Sequence, residues 1–519
     1  RWCQFGSAER VRLNRSDVRH LNSRLRPETA LYKGAADLGS REIPLPEASP
    51  GEPELRRDLR RPQMLAVVVG GIVGAGIYIR PASIAQLLGS PALILGVWLA
   101  GGILSLLGAL TYAQLAMRIP GTGGEYLFLR TTLGRLPAFL YGWMRLTIGP
   151  AVIGTMSVAF TVFLGDIVPL GDPWFHVVLP WGHGRDFLDL GQRQTIAVAV
   201  ILGLAWINTK GVRRAGSFQL LVTICKVVSL VLLLAAITLL NHSPPARTPL
   251  PSLGNDPTTL AFGAALLAVM QTYNGWANAA IVGGEVRDAE RTVPWALVTG
   301  IVIVTGLYIV TNLAFLHTLS LAQIVTANST AHPNAPSVAS LAVQHAFGGR
   351  VATVLPIIFA VSVLGTAHCN VLVFPRVYLT LACDGFLPAS LAKLSPRSAT
   401  PNRATWMLAA IAAVFAVVGT YDRLANMTIF GFLVFYALTT IGFLWSQRAT
   451  PPAARGTAFR LTTIIAALFL LGTSALIVAS ITRGSFEVLT AVSLIGLGIP
   501  IFAVLELLRG KGRQKLTTS

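Results

Sequence analysis

The sequence predicts an all-α polytopic membrane protein with 12 transmembrane helices. Three observations carry that prediction. Of 519 residues, 53% are hydrophobic and only 12% are charged, where soluble domains average about 25% charged residues; mean hydropathy is +0.64. Apolar runs repeatedly reach ~20 residues, the number a helix needs to cross a bilayer's hydrocarbon core. No series of ~10-residue alternating segments, the mark of a membrane β-barrel, occurs.

Residues 1–61 hold 13 Lys and Arg and lack the apolar core of a signal peptide. They are read as a disordered cytoplasmic tail or as the product of a mis-set upstream start, with a regulatory domain as the remaining alternative. Twelve spans follow, at 63–88, 91–117, 136–165, 190–208, 217–240, 260–283, 293–316, 351–382, 402–420, 424–446, 459–481 and 486–508. Residues 337–347 are short and amphipathic and read as a helix on the outer face. Residues 511–519 form a second cytoplasmic tail.

The formal charge of +19 suits nucleic acid or a membrane surface. Its distribution decides for the membrane. With the N-terminus inside, the inner loops and C-terminal tail hold 18 Lys and Arg and the outer side holds seven. That asymmetry places both termini in the cytoplasm. Three basic residues, Arg145, Lys226 and Arg376, fall inside spans, where charge is expensive and functional by default. For Lys226 and Arg145, snorkelling to the inner interface is the competing reading.

Two spans are interrupted. Gly70, Gly71, Gly74 and Gly76 crowd the first. Close packing through small residues is one reading. The other is an unwound segment in which Gly74, Ala75 and Gly76 open a half-helix whose amides suit a carboxylate. Gln271, Thr272, Tyr273 and Asn274 interrupt the sixth span. Interhelical hydrogen bonding is one reading there; unwinding, with free carbonyls for an ammonium, is the other. Together the two unwound segments describe a site for an α-amino acid.

Four cysteines, Cys3, Cys225, Cys369 and Cys383, show no disulfide or metal spacing. The eight histidines are scattered, so neither an enzyme nor a cofactor nor a metal site is expected.

At these breaks the chain resembles the amino acid–polyamine–organocation superfamily. Gly70-Gly71-Ile72-Val73-Gly74-Ala75-Gly76-Ile77 is similar to its first-helix signature. Ser105 to Leu115, Ile119-Pro120-Gly121-Thr122-Gly123-Gly124-Glu125-Tyr126, Leu136 to Trp143, Tyr273-Asn274-Gly275-Trp276 and Gly284 to Pro294 continue the match. The branch it most resembles is the L-type amino acid transporters and their prokaryotic relatives. The resemblance implies a transporter domain over 62–510, built as a five-plus-five inverted repeat with helices 1 and 6 broken, plus two extra helices. It implies alternating access, with Ile72 offering a carbonyl to the substrate amine. Gly74, Ala75 and Gly76 would hold the carboxylate, and Gln271, Thr272 and Asn274 would supply span-six contacts.

The resemblance also gives Lys226 a role: its ammonium takes the place of a sodium ion between spans one and eight, which implies sodium-independent transport. Glu125 and Glu285 are gate salt-bridge candidates by resemblance, or solvated loop charges. His368 in span eight is a candidate for proton coupling, or a structural histidine. Gln271 stands where eukaryotic L-type members carry a gating phenylalanine. Arg145 is displaced from their span-three arginine and reads as snorkelling inward. Those members pair with a glycoprotein through a cysteine between spans three and four. Residues 166–189 hold none, so no disulfide-linked partner of that kind is expected.

No acidic residue lies in the middle of spans one, three, six or eight, so a neutral amino acid is the expected substrate, handled by an exchanger or a proton-coupled symporter in the cell (inner or plasma) membrane. The alternatives are a permease for other amines or γ-amino acids, and a non-transporting amino acid sensor.

Overall fold

The apolar runs fold as helices, and their interruptions coincide with glycine and proline. The computed structural model describes residues 54–178, 187–239, 258–329, 332, 335–347, 354–418, 421–451, 453, 455–482 and 486–517. The first expected span is two helices, α1 (Arg61–Ile72) and α2 (Gly76–Leu88). Then come α3 (Pro91–Arg118), a short α4 (Glu125–Thr132), α5 (Arg135–Thr147) and α6 (Gly149–Gly165). Strands β1 (Phe175–Val178) and β2 (Phe187–Leu190) form an antiparallel hairpin that pairs Phe175 with Leu190. Next are α7 (Gln192–Thr209), α8 (Val212–Leu239), α9 (Thr258–Tyr273) and the single turn α10 (Asn278–Ile281). The remainder comprises α11 (Ala289–Thr318), α12 (Leu321–Val325), α13 (Val338–Phe347), α14 (Val354–Val373), α15 (Pro375–Cys383), α16 (Asn402–Val418), α17 (Tyr421–Gln447), α18 (Thr457–Thr482) and α19 (Phe486–Thr517).

Among the described residues, nine stretches are helical, long and apolar enough to cross a membrane, with α1 and α2, α5 and α6, and α14 and α15 each counting as one. The other three expected spans coincide with α7, with α9 plus α10, and with α16. The spans expected as single helices at 136–165 and 351–382 are each divided, at Ile148 and at Phe374. Pro150 and Pro375 open the second pieces, because proline suits a helix's first turn and clashes further in.

Packing places α1 at the centre, against α8, α11 and α14. The first half of span six, α9, lies on α2, while its second half, α10, lies on α1. That crossed pairing makes the two broken spans antiparallel. The helices α18 and α19 are peripheral: Leu468 and Leu471 of α18 are 49% and 68% exposed, as lipid-facing side chains are.

The N-terminal boundary needs a correction. Leu59, placed in the tail by composition, is fully buried and forms a parallel bridge with Val286. Its amide donates to the Glu285 carbonyl at 3.0 Å, and its carbonyl accepts from the Arg287 amide at 2.9 Å. Residues 1–53 lie outside the described residues. At the other end α19 runs to Thr517, through most of the segment expected as a tail.

Candidate functional site

The helix α1 stops at Val73, whose φ of −70° and ψ of 96° are extended. A helix end leaves its last carbonyls without intrahelical partners. Here neighbouring side chains supply them. The Lys226 ammonium, from α8, donates to the carbonyls of Gly70 at 2.8 Å and Val73 at 2.7 Å. It also donates to the Ser362 carbonyl at 3.2 Å and lies 3.4 Å from Thr366 Oγ1, both on α14. The Thr366 hydroxyl donates to the Val73 carbonyl at 3.1 Å. Lys226 is fully buried, which removes the snorkelling reading. Among the described residues it has no carboxylate partner; the negative end of a half-helix and aimed carbonyl dipoles offset its charge.

The helix α9 ends at Tyr273, and Gly275 follows with φ of +118°. The Tyr308 hydroxyl, on α11, lies 3.2 Å from the Ile72 carbonyl and 3.3 Å from the Thr272 carbonyl. One phenol thus ties together the ends of the first halves of both broken spans.

Between the breaks lies a cavity of about 90 Å³. Ile72, Gly74, Ala75 and Gly76 line it from one side and Gln271, Thr272 and Asn274 from the other. The amides of Gly74 and Ala75 have no backbone acceptor among the described residues. The Asn274 Oδ1 accepts from the Tyr436 hydroxyl at 2.8 Å. Asn278 and Asn370, also in the wall, are joined at 3.1 Å. The arrangement can hold a small zwitterion: amides at one side, helix-end carbonyls at the other.

Arg145 corrects another expectation. Its side chain does not snorkel; it is 1% exposed and lines the cavity. Its Nη2 pairs with Glu125 Oε2 at 3.3 Å, its Nε donates to the Tyr141 hydroxyl at 2.9 Å, and the Phe432 ring lies 4.4 Å away. The Tyr112 hydroxyl donates to the other Glu125 oxygen at 2.5 Å. Glu285 accepts twice from Arg376, at 2.8 and 3.0 Å. Both carboxylates are fully buried, so neither is a solvated loop charge. Glu125 begins α4 just after a glycine-rich loop, and that loop docks on span six: the Gly123 amide donates to the Ile281 carbonyl at 2.8 Å. Nearby, Asp384 accepts from the Tyr126 hydroxyl at 2.5 Å and pairs with Arg130 at 3.0 Å. Burial, then the Asp384 carboxylate, pushes the Tyr126 phenol well above its ordinary pKa, so it stays a donor.

His368 sits behind α1, outside the cavity wall. Its Nδ1 lies 2.7 Å from Gln219 Oε1, an acceptor, so Nδ1 carries the proton; Phe218 packs edge-on at 4.7 Å. Sequence reasoning overlooked Tyr308, Ser362 and Thr366. The i, i+4 spacing of Ser362 and Thr366 on a mostly apolar helix was the available signal.

The family model for amino acid permeases matches residues 59–504. The serine/threonine exchanger SteT of Bacillus subtilis is 30% identical over 389 residues, covering 74% of this chain and 82% of its own. The human cystine/glutamate transporter is 26% identical over 434 residues, 83% of this chain and 81% of its own. The human Asc-type amino acid transporter 1 is 26% identical over 476 residues, 90% and 86% respectively.

Proposed function

The chain belongs to the amino acid permease family, and from that premise we propose that it is a sodium-independent secondary transporter of neutral amino acids working by alternating access. It acts as an exchanger or a proton-coupled symporter in the cell membrane, with both termini cytoplasmic. The transporter domain, expected over 62–510, also takes in Leu59 and has 12 helices as two inverted repeats of five and two more. Packing of α2 on α9, α3 on α11, α6 on α14 and α7 on α16 supports the repeat, since each pair joins equivalent spans.

The observation that carries the reading is the Lys226 ammonium on the Gly70 and Val73 carbonyls. A fixed cation there stabilises the break in α1 without a bound ion. The substrate carboxylate then meets the amides of Gly74, Ala75 and Gly76, and its ammonium meets the Ile72 carbonyl and the end of α9 around Gln271, Thr272 and Asn274. Arg145 in the wall is paired with Glu125, and no acidic side chain lines the cavity among the described residues, which argues against a cationic substrate. Glu125–Arg145 and Glu285–Arg376 act as inner gate contacts, and His368 is the candidate for proton coupling.

Proteoliposome counterflow tests the proposal. Vesicles loaded with unlabelled neutral amino acids should accumulate the labelled compounds equally in sodium and in choline buffer. Strict dependence on sodium would sink the Lys226 role, and no flux of any neutral amino acid would sink the transport reading.

A further inference from the structure

The cavity wall contains polar groups that its own fold leaves without partners. The Gln271 Nε2 is buried, lines the cavity and has no hydrogen-bond partner among the described residues. So does the hydroxyl of Thr155, on α6, a residue 2% exposed. A threonine inside a helix ordinarily turns its hydroxyl back to a carbonyl of the preceding turn. Thr147 and Thr161 on the same span do so, at 2.8 and 2.7 Å. Thr155 does not. Buried donors are almost always satisfied, and one that is not calls for a ligand or water. Arg145 adds a third donor-rich group to this wall, its positive charge already matched by Glu125.

The rest of the wall is partly apolar. Val152 and Ile429 supply apolar contact for a short stem.

We propose that Gln271 and Thr155 form a side-chain subsite that selects neutral amino acids bearing a hydroxyl or carboxamide. The proposal rests on the transport reading above and adds the substrate class. A site built to hydrogen-bond a substrate hydroxyl rejects the apolar isostere strongly, because its own buried groups are then left unpaired.

The test uses the full chain in proteoliposomes and two isosteric pairs, L-threonine with L-valine and L-serine with L-2-aminobutyrate. Wild-type initial uptake should favour the hydroxyl member of each pair by at least about tenfold. In Gln271→Leu and in Thr155→Val that ratio should fall toward one. Both members are read in the same vesicles, so a general loss of folded protein cancels. If a variant transports neither, thermal shift of the purified wild-type protein by the same four compounds decides. Equal or better uptake, or an equal thermal shift, for valine against threonine overturns the subsite. A ratio unchanged in both variants overturns the assignment to Gln271 and Thr155. No uptake of any of the four, with no shift, overturns the transport reading on which the subsite depends.

Discussion

A Cβ placed on Gly275 would lie 2.6 Å from the Gly71 carbonyl oxygen, so the two broken spans cross backbone to backbone. Gly275 also holds φ of +118°, which side-chain-bearing residues rarely adopt. Gly275→Ala should therefore lower transport at least about tenfold, given ~1–3 kcal/mol of backbone strain alone. Uptake and thermal melting of the purified variant check this. Wild-type values for both would show that the crossing tolerates a methyl group.

Replacing Lys226 by methionine keeps its length and removes its donors. The carbonyls of Gly70 and Val73 lose their strongest contact, and each buried acceptor left unmade costs about 1–3 kcal/mol. Lys226→Met should abolish exchange and lower the melting temperature. Intact exchange in this variant would end the ion-substitute role.

Glu285 and Arg376 form a two-bond pair with no exposure on the carboxylate. Removing one partner strands the other charge, at about 3–5 kcal/mol, whereas replacing both with apolar residues is often neutral. Arg376→Met alone should destabilise the protein strongly. Arg376→Met with Glu285→Leu should recover most of the melting temperature, but not gated transport. Additive losses in that cycle would show that the pair is not coupled.

Proton coupling through His368 predicts that uptake steepens with an inward proton gradient and that His368→Asn flattens the response. Flux compared at about pH 5.5 and about pH 7.5 checks it. Equal steepness in both proteins assigns His368 to a structural role through Gln219.

Much of the site was legible in the sequence because helix interruption has a local cause. Glycine at 70, 71, 74 and 76 and the polar run at 271–274 mark where apolar helices stop. Lys226 stood out because charge in an apolar span is conspicuous anywhere. Arg145 was misread, because an arginine near a span's inner end looks the same in sequence whether it snorkels or turns inward. Only its burial against Phe432 and Glu125 distinguishes the two.

The sequence by itself determined the membrane class and the family, since hydropathy and glycine spacing are read one segment at a time. Tertiary structure alone decided who meets whom. Crossing the two breaks at Gly71 and Gly275, bridging them through Tyr308, and pairing Glu285 with Arg376 depend on packing between segments tens to hundreds of residues apart. Such contacts depend on direction and distance in space, and a side chain's sequence position does not encode either.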